Sequence, residues 1–159
     1  MTKVVLRGRT AEITSGLKLL RRTVRTDQGG VLFFQGPPGI GKSALLAEVI
    51  SQAARMGFRC GVSKADQITD ISPAAPLLLA LRNGSGPLLT ATDLERLHDC
   101  AGAPLLLLDE LTAALEREAS SGPVLIAIDD AQWIDSASRL VLRSTPPGPR
   151  IATSARTAR

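Results

Sequence analysis

The residues Gly36-Pro37-Pro38-Gly39-Ile40-Gly41-Lys42-Ser43 carry the clearest chemistry in the chain. They fit G-x-x-x-x-G-K-[ST] at every fixed position, and each position has a physical reason. Glycines let backbone N–H groups curl around an anion with no side chain in the way. A helix beginning at Lys42 would aim its positive end at the same point. Lys42 offers a point charge to β- and γ-phosphates, and the Ser43 hydroxyl offers a ligand to Mg²⁺. Pro37, Pro38 and Ile40 complete the loop and Ala44 continues the first turn, so the whole run is a candidate nucleotide cradle.

Such a loop needs a partner: an adjacent strand ending in Asp, which holds a magnesium-bound water, with a neighbouring carboxylate to polarise the attacking water. Two segments qualify on a crude pattern, "PLLLLDE" (Pro104 to Glu110) and "VLIAIDD" (Val124 to Asp130). Residue type separates them. Leu105 to Leu108 contains no β-branched residue and runs without a break into more helix-forming sequence. Leu105, Leu108, Leu111 and Leu115 recur at helical spacing, and Pro104 suits a first turn. That segment is predicted to be a core-packing helix with Asp109 and Glu110 facing solvent. Val124, Ile126 and Ile128 are β-branched, follow a Gly122-Pro123 turn, and lead into a loop at Ala131-Gln132. Asp129 is therefore the expected Mg²⁺ carboxylate, and Asp130 the expected catalytic one, positioning or deprotonating water. Asp is one methylene shorter than Glu, so slow hydrolysis is expected.

The surrounding elements follow from periodicity and turn residues. A helix capped by Thr10 should run to about Arg25 with Ile13, Leu17, Leu20 and Val24 on one stripe. "VLFFQ" (Val31 to Gln35) reads as a buried parallel strand leading into the loop. The helix after the loop should reach about Met56, with Leu46, Val49, Ile50 and Ala53 inward. A weaker strand spans Phe58 to Ser63, and 64–120 reads as mostly helical. A short helix near Asp135 should end at Pro146-Pro147-Gly148-Pro149, before a last strand in "RIATSAR". Strands alternating with helices predict an α/β fold with a parallel sheet. No internal repeat is visible.

With 159 residues, 44% hydrophobic and 21% charged, the chain has the make-up of one globular domain with a real core. No apolar run reaches the roughly 18 residues of a membrane span, and no signal peptide is visible. Cys60 and Cys100, the only two cysteines, have no metal-ligand spacing and read as reduced cytosolic thiols. The net charge of +4 is clustered at Arg21, Arg22 and Arg25 and again toward the C-terminus. Without tyrosines or basic-aromatic interleaving, these clusters read as solvated faces rather than a nucleic-acid surface. His98 reads as an exposed helix residue with no nucleophile to serve.

Three stretches together, "LRGRTAEI", "GPPGIGKSALL" and "VLIAIDDAQWID", resemble the N-terminal ATPase domain of the large ATP-binding LuxR-family transcriptional regulators. Those belong to the STAND class of signalling P-loop NTPases, relatives of AAA+ ATPases. The resemblance covers nearly the whole chain, and its most specific parts are the D-D-A-Q-W-x-D run and the G-R-x-x-E start. It implies that ATP is the nucleotide, that Gly8 and Arg9 lie near its adenine, and that Arg156 is a sensor arginine facing the γ-phosphate. Arg156 could equally be a solvated charge. Trp133 is expected to be a buried anchor for the loop after the acid pair.

The resulting expectation is one domain over 1–159, a P-loop NTPase three-layer sandwich with a mainly parallel sheet. Those regulators continue into a further core strand, a lid and a DNA-reading helix-turn-helix, so the domain is expected to be incomplete at its C-terminus. The function expected is Mg²⁺-dependent ATP binding with slow hydrolysis in a cytoplasmic switch capable of self-association. DNA would be reached only through a C-terminal domain outside this chain. The alternatives are an AAA-like ATPase acting on DNA, or a nucleotide-binding interaction module that does not hydrolyse.

Overall fold

A computed structural model of the chain describes residues 8–66, 73–84, 86–100, 102–144 and 151–157, with 144 and 151–157 described by their backbone. Four strands, β1 (Gly30–Gln35), β2 (Arg59–Lys64), β3 (Val124–Asp129) and β4 (Ile151–Thr157), form one sheet. Among the described residues six α-helices accompany them: α1 (Thr10–Thr26), α2 (Lys42–Arg55), α3 (Ala75–Arg82), α4 (Ala91–Asp99), α5 (Pro104–Ser121) and α6 (Ser136–Ser144). The strand order is β1-β4-β3-β2 and every pairing is parallel. Parallel strands need crossovers, and the intervening helices supply them on both faces.

Strand β3 shows why this is a three-layer sandwich. Val124, Ile126 and Ile128 pack into one core with Leu77 and Leu81 of α3, Leu111 and Leu115 of α5, and Val141 of α6. Leu125 and Ala127, pointing the other way, join a second core with Leu20 of α1 and Leu45, Leu46 and Val49 of α2. With both faces covered, β3 is buried from Val124 to Ile128. Each large aliphatic side chain sealed here contributes on the order of 1.5–3 kcal/mol.

The expected adjacency of the acid strand to β1 does not hold: β4 lies between β1 and β3. The crossover from β1 carries the chain to β2 at the far side, and β3 and β4 then fill the space back toward β1. Nor is β1 buried on both faces. Leu32 and Phe34 face α1 and α2, whereas Val31 and Phe33 are 50% and 57% exposed. The helix α3 on the other face packs on β2 and β3 instead.

Several helix details also differ from expectation. Thr10 does not cap α1; Arg9 holds the N-cap position and Thr10 is the first helical residue, its carbonyl accepting from Thr14 Oγ1 at 2.6 Å. The buried stripe of α1 is Gly16, Leu20 and Thr23, and Val24 is exposed. A Cβ on Gly16 would come within 2.9 Å of Val49, so this glycine lets α1 and α2 approach closely and sets the stripe. The segment from Pro104 is helical, as its leucines predicted, with Pro104 in the first turn. Yet Leu105 is 76% exposed and Leu106 is exposed, while Leu107 takes the inward place. Pro146 to Pro149 lie outside the described residues.

On the outer edge of β2, Gly84 forms an antiparallel bridge to Gly61, and the Val62 N–H donates to the Asn83 carbonyl at 3.0 Å. A Cβ on Gly84 would sit 2.0 Å from the Cys60 carbonyl oxygen, so only glycine fits there.

Helices α4 and α5 are tied by charge. Asp93 closes a capping box with Thr90: its N–H donates to Thr90 Oγ1 at 3.1 Å, and its carboxylate accepts from the Thr90 N–H at 2.9 Å. Arg117 of α5 donates to the other carboxylate oxygen at 2.6 Å. Burial alone would raise the Asp93 pKa, but the Thr90 bonds and the Arg117 guanidinium together outweigh it and hold the carboxyl below its ordinary value. A carboxyl lowered in the folded state stabilises above its unfolded pKa, about 4, and loses that contribution as pH falls through the folded value. Asp93→Ala is expected to cost about 1–2 kcal/mol at pH 7. Urea melts should show the gap to wild type narrowing below pH 4; a gap constant from pH 7 to 2.5 would refute the electrostatic part.

Candidate functional site

The loop from Gly36 to Ser43 leaves the C-terminal end of β1 and enters α2, the strand-loop-helix context that the motif requires. Its backbone depends on glycine. Gly39 and Gly41 have φ of 77° and 87°, and a Cβ at either would meet no atom within 4 Å. The concavity beside the backbone is therefore open, and the torsions alone demand glycine. Gly41 is the N-cap of α2 and brings no side chain to cap it, so the positive end of the helix faces the loop. Lys42 is only 5% exposed, and its Nζ donates to the carbonyls of Gly36 and Pro37, each at 2.6 Å. The ammonium is thus held within the loop. Ser43 is exposed at the second position of α2, and Ala44 is half-buried.

Arg9 reaches this loop from the start of α1. Its Nη2 donates to the Ile40 carbonyl at 3.0 Å, and its Nη1 pairs with Glu12 at 2.6 Å. The Arg9 guanidinium holds the Glu12 carboxyl below the usual carboxylate range. Arg9, Phe33, Gln35, Ile40 and Lys42 line a cavity of about 190 Å³. Gly8 precedes Arg9 with φ 74°.

The acid pair sits at the same end of the sheet. Asp129 closes β3, its carbonyl accepting from the Ala65 N–H at 2.9 Å and its Oδ1 from the Asp130 N–H at 3.0 Å. Asp130 is left-handed, φ 53°, and opens a one-turn 3₁₀ helix over Ala131–Trp133. Its Oδ2 lies 3.4 Å from Lys64 Nζ, and Gln132 Nε2 reaches its Oδ1 at 3.5 Å. Strand register makes a row across the C-terminal edge: Lys64 is opposite Asp129, and Phe34 opposite Arg156. Ile128 pairs with Ala155, so the next step along both strands brings Arg156 level with Asp129. Ligands of parallel α/β sheets bind at this end. Two strand spacings, roughly 10 Å, separate β1 from β3, and β4 with Arg156 occupies the interval.

Lys64 was invisible to residue reading because its importance depends on strand order. A cation ending the strand beside the acid strand is informative only once β2 is known to neighbour β3. Trp133 is not the buried anchor expected; its side chain is 43% exposed. The turn is closed instead by backbone bonds, the Trp133 N–H donating to the Asp130 carbonyl at 3.0 Å, and by buried Asp135 beyond it. Asp109 is exposed on α5, as expected, whereas Glu110 is half-buried and bonded to Arg117 at 3.1 Å. His98 is exposed. Both cysteines are free thiols, and burial pushes Cys60 up to about 11, leaving it protonated and inert at neutral pH.

Among the described residues no group of three or more His, Cys, Asp or Glu could cage a metal by itself. Mg²⁺ keeps several waters and shares its shell with substrate phosphates and one or two protein oxygens, so a hydroxyl and a carboxylate suit it. Ser43 and Asp129 are the oxygens on offer. The open glycine cradle, the enclosed lysine and the uncapped α2 terminus likewise fit a polyphosphate.

No described helix is long and apolar enough to cross a membrane. Residues 5–150 match the AAA ATPase domain family. Among solved structures, Cdc6p from Pyrobaculum aerophilum is similar, with a TM-score of 0.56 and 15% identity, over 97% of this chain and 40% of that one. At that identity the likeness is one of fold, and this chain spans well under half of that protein's length. No curated protein matches it. The glycine loop, the parallel order β1-β4-β3-β2 and the family match agree: the chain belongs to the AAA ATPase domain family, built on a P-loop NTPase fold and using nucleotide, usually with Mg²⁺.

Proposed function

We propose that this chain binds Mg·ATP and hydrolyses it slowly, as the nucleotide-switch domain of a LuxR-type STAND regulator in the cytoplasm. The observation that carries the binding part is Lys42, enclosed by the carbonyls of its own glycine loop at the C-terminal edge of a parallel sheet. In this reading the amides of 36–44 hold the phosphates, with Arg9 fixing the Ile40 end of the loop. Ser43 and Asp129 hold Mg²⁺, which neutralises charge on the β- and γ-phosphates. Asp130 orients or deprotonates the attacking water. Arg156, level with Asp129 and on the strand between the two halves of the site, is the candidate to face the γ-phosphate.

Slow turnover is supported by Asp130 itself. A short side chain on a left-handed backbone, with one oxygen beside Lys64, has little freedom to position water. Lys64 is largely exposed, so the pair is weak and separable from folding. Lys64→Met is expected to raise phosphate release about two- to five-fold, a change of roughly 0.4–1 kcal/mol in barrier. A fall in turnover would instead make Lys64 part of the machinery.

The regulator assignment rests on the D-D-A-Q-W-x-D and G-R-x-x-E resemblance. Its test is the reading frame beyond Arg159: a lid and helix-turn-helix are expected, and an unrelated domain would overturn it. Turnover stimulated by DNA in the isolated domain would select an ATPase acting on DNA. ATP-dependent self-association without phosphate release would select a binding module.

A further inference from the structure

Asp135 is a buried carboxylate outside the roles assigned above, although it ends the same run as the acid pair. It stands immediately before α6 and caps it: Asp135 Oδ1 accepts from the Ser138 N–H at 2.9 Å, and the Asp135 carbonyl from the Arg139 N–H at 3.1 Å. The same Oδ1 accepts a second bond, from the N–H of Ala74 at 3.0 Å. Ala74 lies 61 positions earlier in the chain, fully buried at the N-cap of α3. Its φ is 61°, a region that an alanine occupies only when its surroundings hold it there. One oxygen therefore joins the starts of two helices that also meet in the core through Leu77, Leu81 and Val141.

The position of this junction gives it consequence. The segment from Asp130 to Asp135 is a left-handed residue, one 3₁₀ turn and Ile134, with Trp133 exposed. Its first end is fixed by β3 and the Ala65–Asp129 bond. Its second end is fixed by Asp135. Without the second anchor, that end would be held by apolar packing of Ile134 and α6 alone, with no directional bond to fix the path of the loop back to Asp130.

We propose that Asp135 is a positioning residue for hydrolysis: by binding Ala74 and Ser138 together it holds the 130–135 loop so that Asp130 keeps its place over the bound nucleotide. This rests on the ATPase reading of the site. On that reading the nucleotide is held by Arg9 and residues 36–44, none of which Asp135 is bonded to, so its loss should separate turnover from binding. The second oxygen, Oδ2, is buried and makes no hydrogen bond among the described residues, and both backbone bonds go to Oδ1, which an asparagine keeps.

The experiment compares Asp135→Ala, Asp135→Asn and Leu107→Ala, a core variant in α5 chosen to match any loss of stability. All are assayed at a temperature where circular dichroism shows each one folded. Asp135→Ala is expected to lower kcat 10- to 30-fold while the Kd for ATP stays within two-fold. Asp135→Asn should recover to within about three-fold of wild type, and Leu107→Ala should leave kcat unchanged. Hydrogen exchange should quicken at least ten-fold at the amides of Ala74, Ala131, Gln132 and Trp133 in Asp135→Ala alone. A folded Asp135→Ala with wild-type kcat, or losses that Leu107→Ala reproduces, would overturn the proposal. If wild type binds ATP without measurable turnover, the ATPase reading fails and exchange decides: faster exchange at 131–133 upholds the anchoring, and unchanged exchange removes it.

Discussion

Lys42→Ala is expected to weaken Mg·ATP binding at least about 100-fold, measured by calorimetric titration at fixed Mg²⁺. That factor corresponds to roughly 2.7 kcal/mol, within the range of charge-assisted bonds to phosphate in a shielded site. The side chain is nearly inaccessible, and its ammonium already sits among the loop carbonyls. Removing it deletes a positive charge where the phosphates would lie, and also the two bonds to the loop carbonyls. The glycine torsions and the α2 terminus remain, so residual millimolar binding is consistent with the reading. An affinity within three-fold of wild type, in a protein of unchanged melting temperature, would end it.

The second large effect distinguishes two acids that look alike in sequence. Asp129→Asn is expected to reduce phosphate release at least about 100-fold and to abolish the gain in affinity that Mg²⁺ confers, while binding in EDTA persists. Asp109→Asn should leave both within two-fold. Asp129 ends a strand at the same edge of the sheet as the glycine loop, one strand removed from β1, and Asp109 is exposed on α5. The reverse outcome would move the metal site to the wrong side of the molecule and could not be reconciled with the sheet.

Much of this was legible without coordinates because local chemistry and global fold agree. The glycines of the loop, the β-branched run at Val124–Ile128 and the leucine-rich helix at Pro104 each carry their own signal, and each was placed correctly. What could not be read was anything that depends on which elements become neighbours. Strand order put β4 between β1 and β3, and no periodicity encodes that. Exposed Val31 and Phe33 have the same composition as a buried strand; only the absence of a described helix above them differs. Lys64 acts through a residue 66 positions away and has no local signature; Asp135 has one as the cap of α6, but its bond to Ala74, 61 positions earlier, has none. Trp133 misled because aromatic size argues for burial, while a single 3₁₀ turn held by backbone and carboxylate bonds has no need of it.

The left-handed backbone at Asp130 has a genetic consequence. Aspartate and glutamate codons differ by one base, so a longer acid with better reach for water lies a single mutation away. A φ of 53° is tolerated by Asp and Asn far better than by Glu, because a short polar side chain can bond locally to its own backbone. The substitution that would lengthen the catalytic arm is therefore opposed by the peptide torsion beneath it. On the proposed reading, the pace of the switch is written into a turn, and selection for faster turnover would have to reshape that turn before it could change the acid.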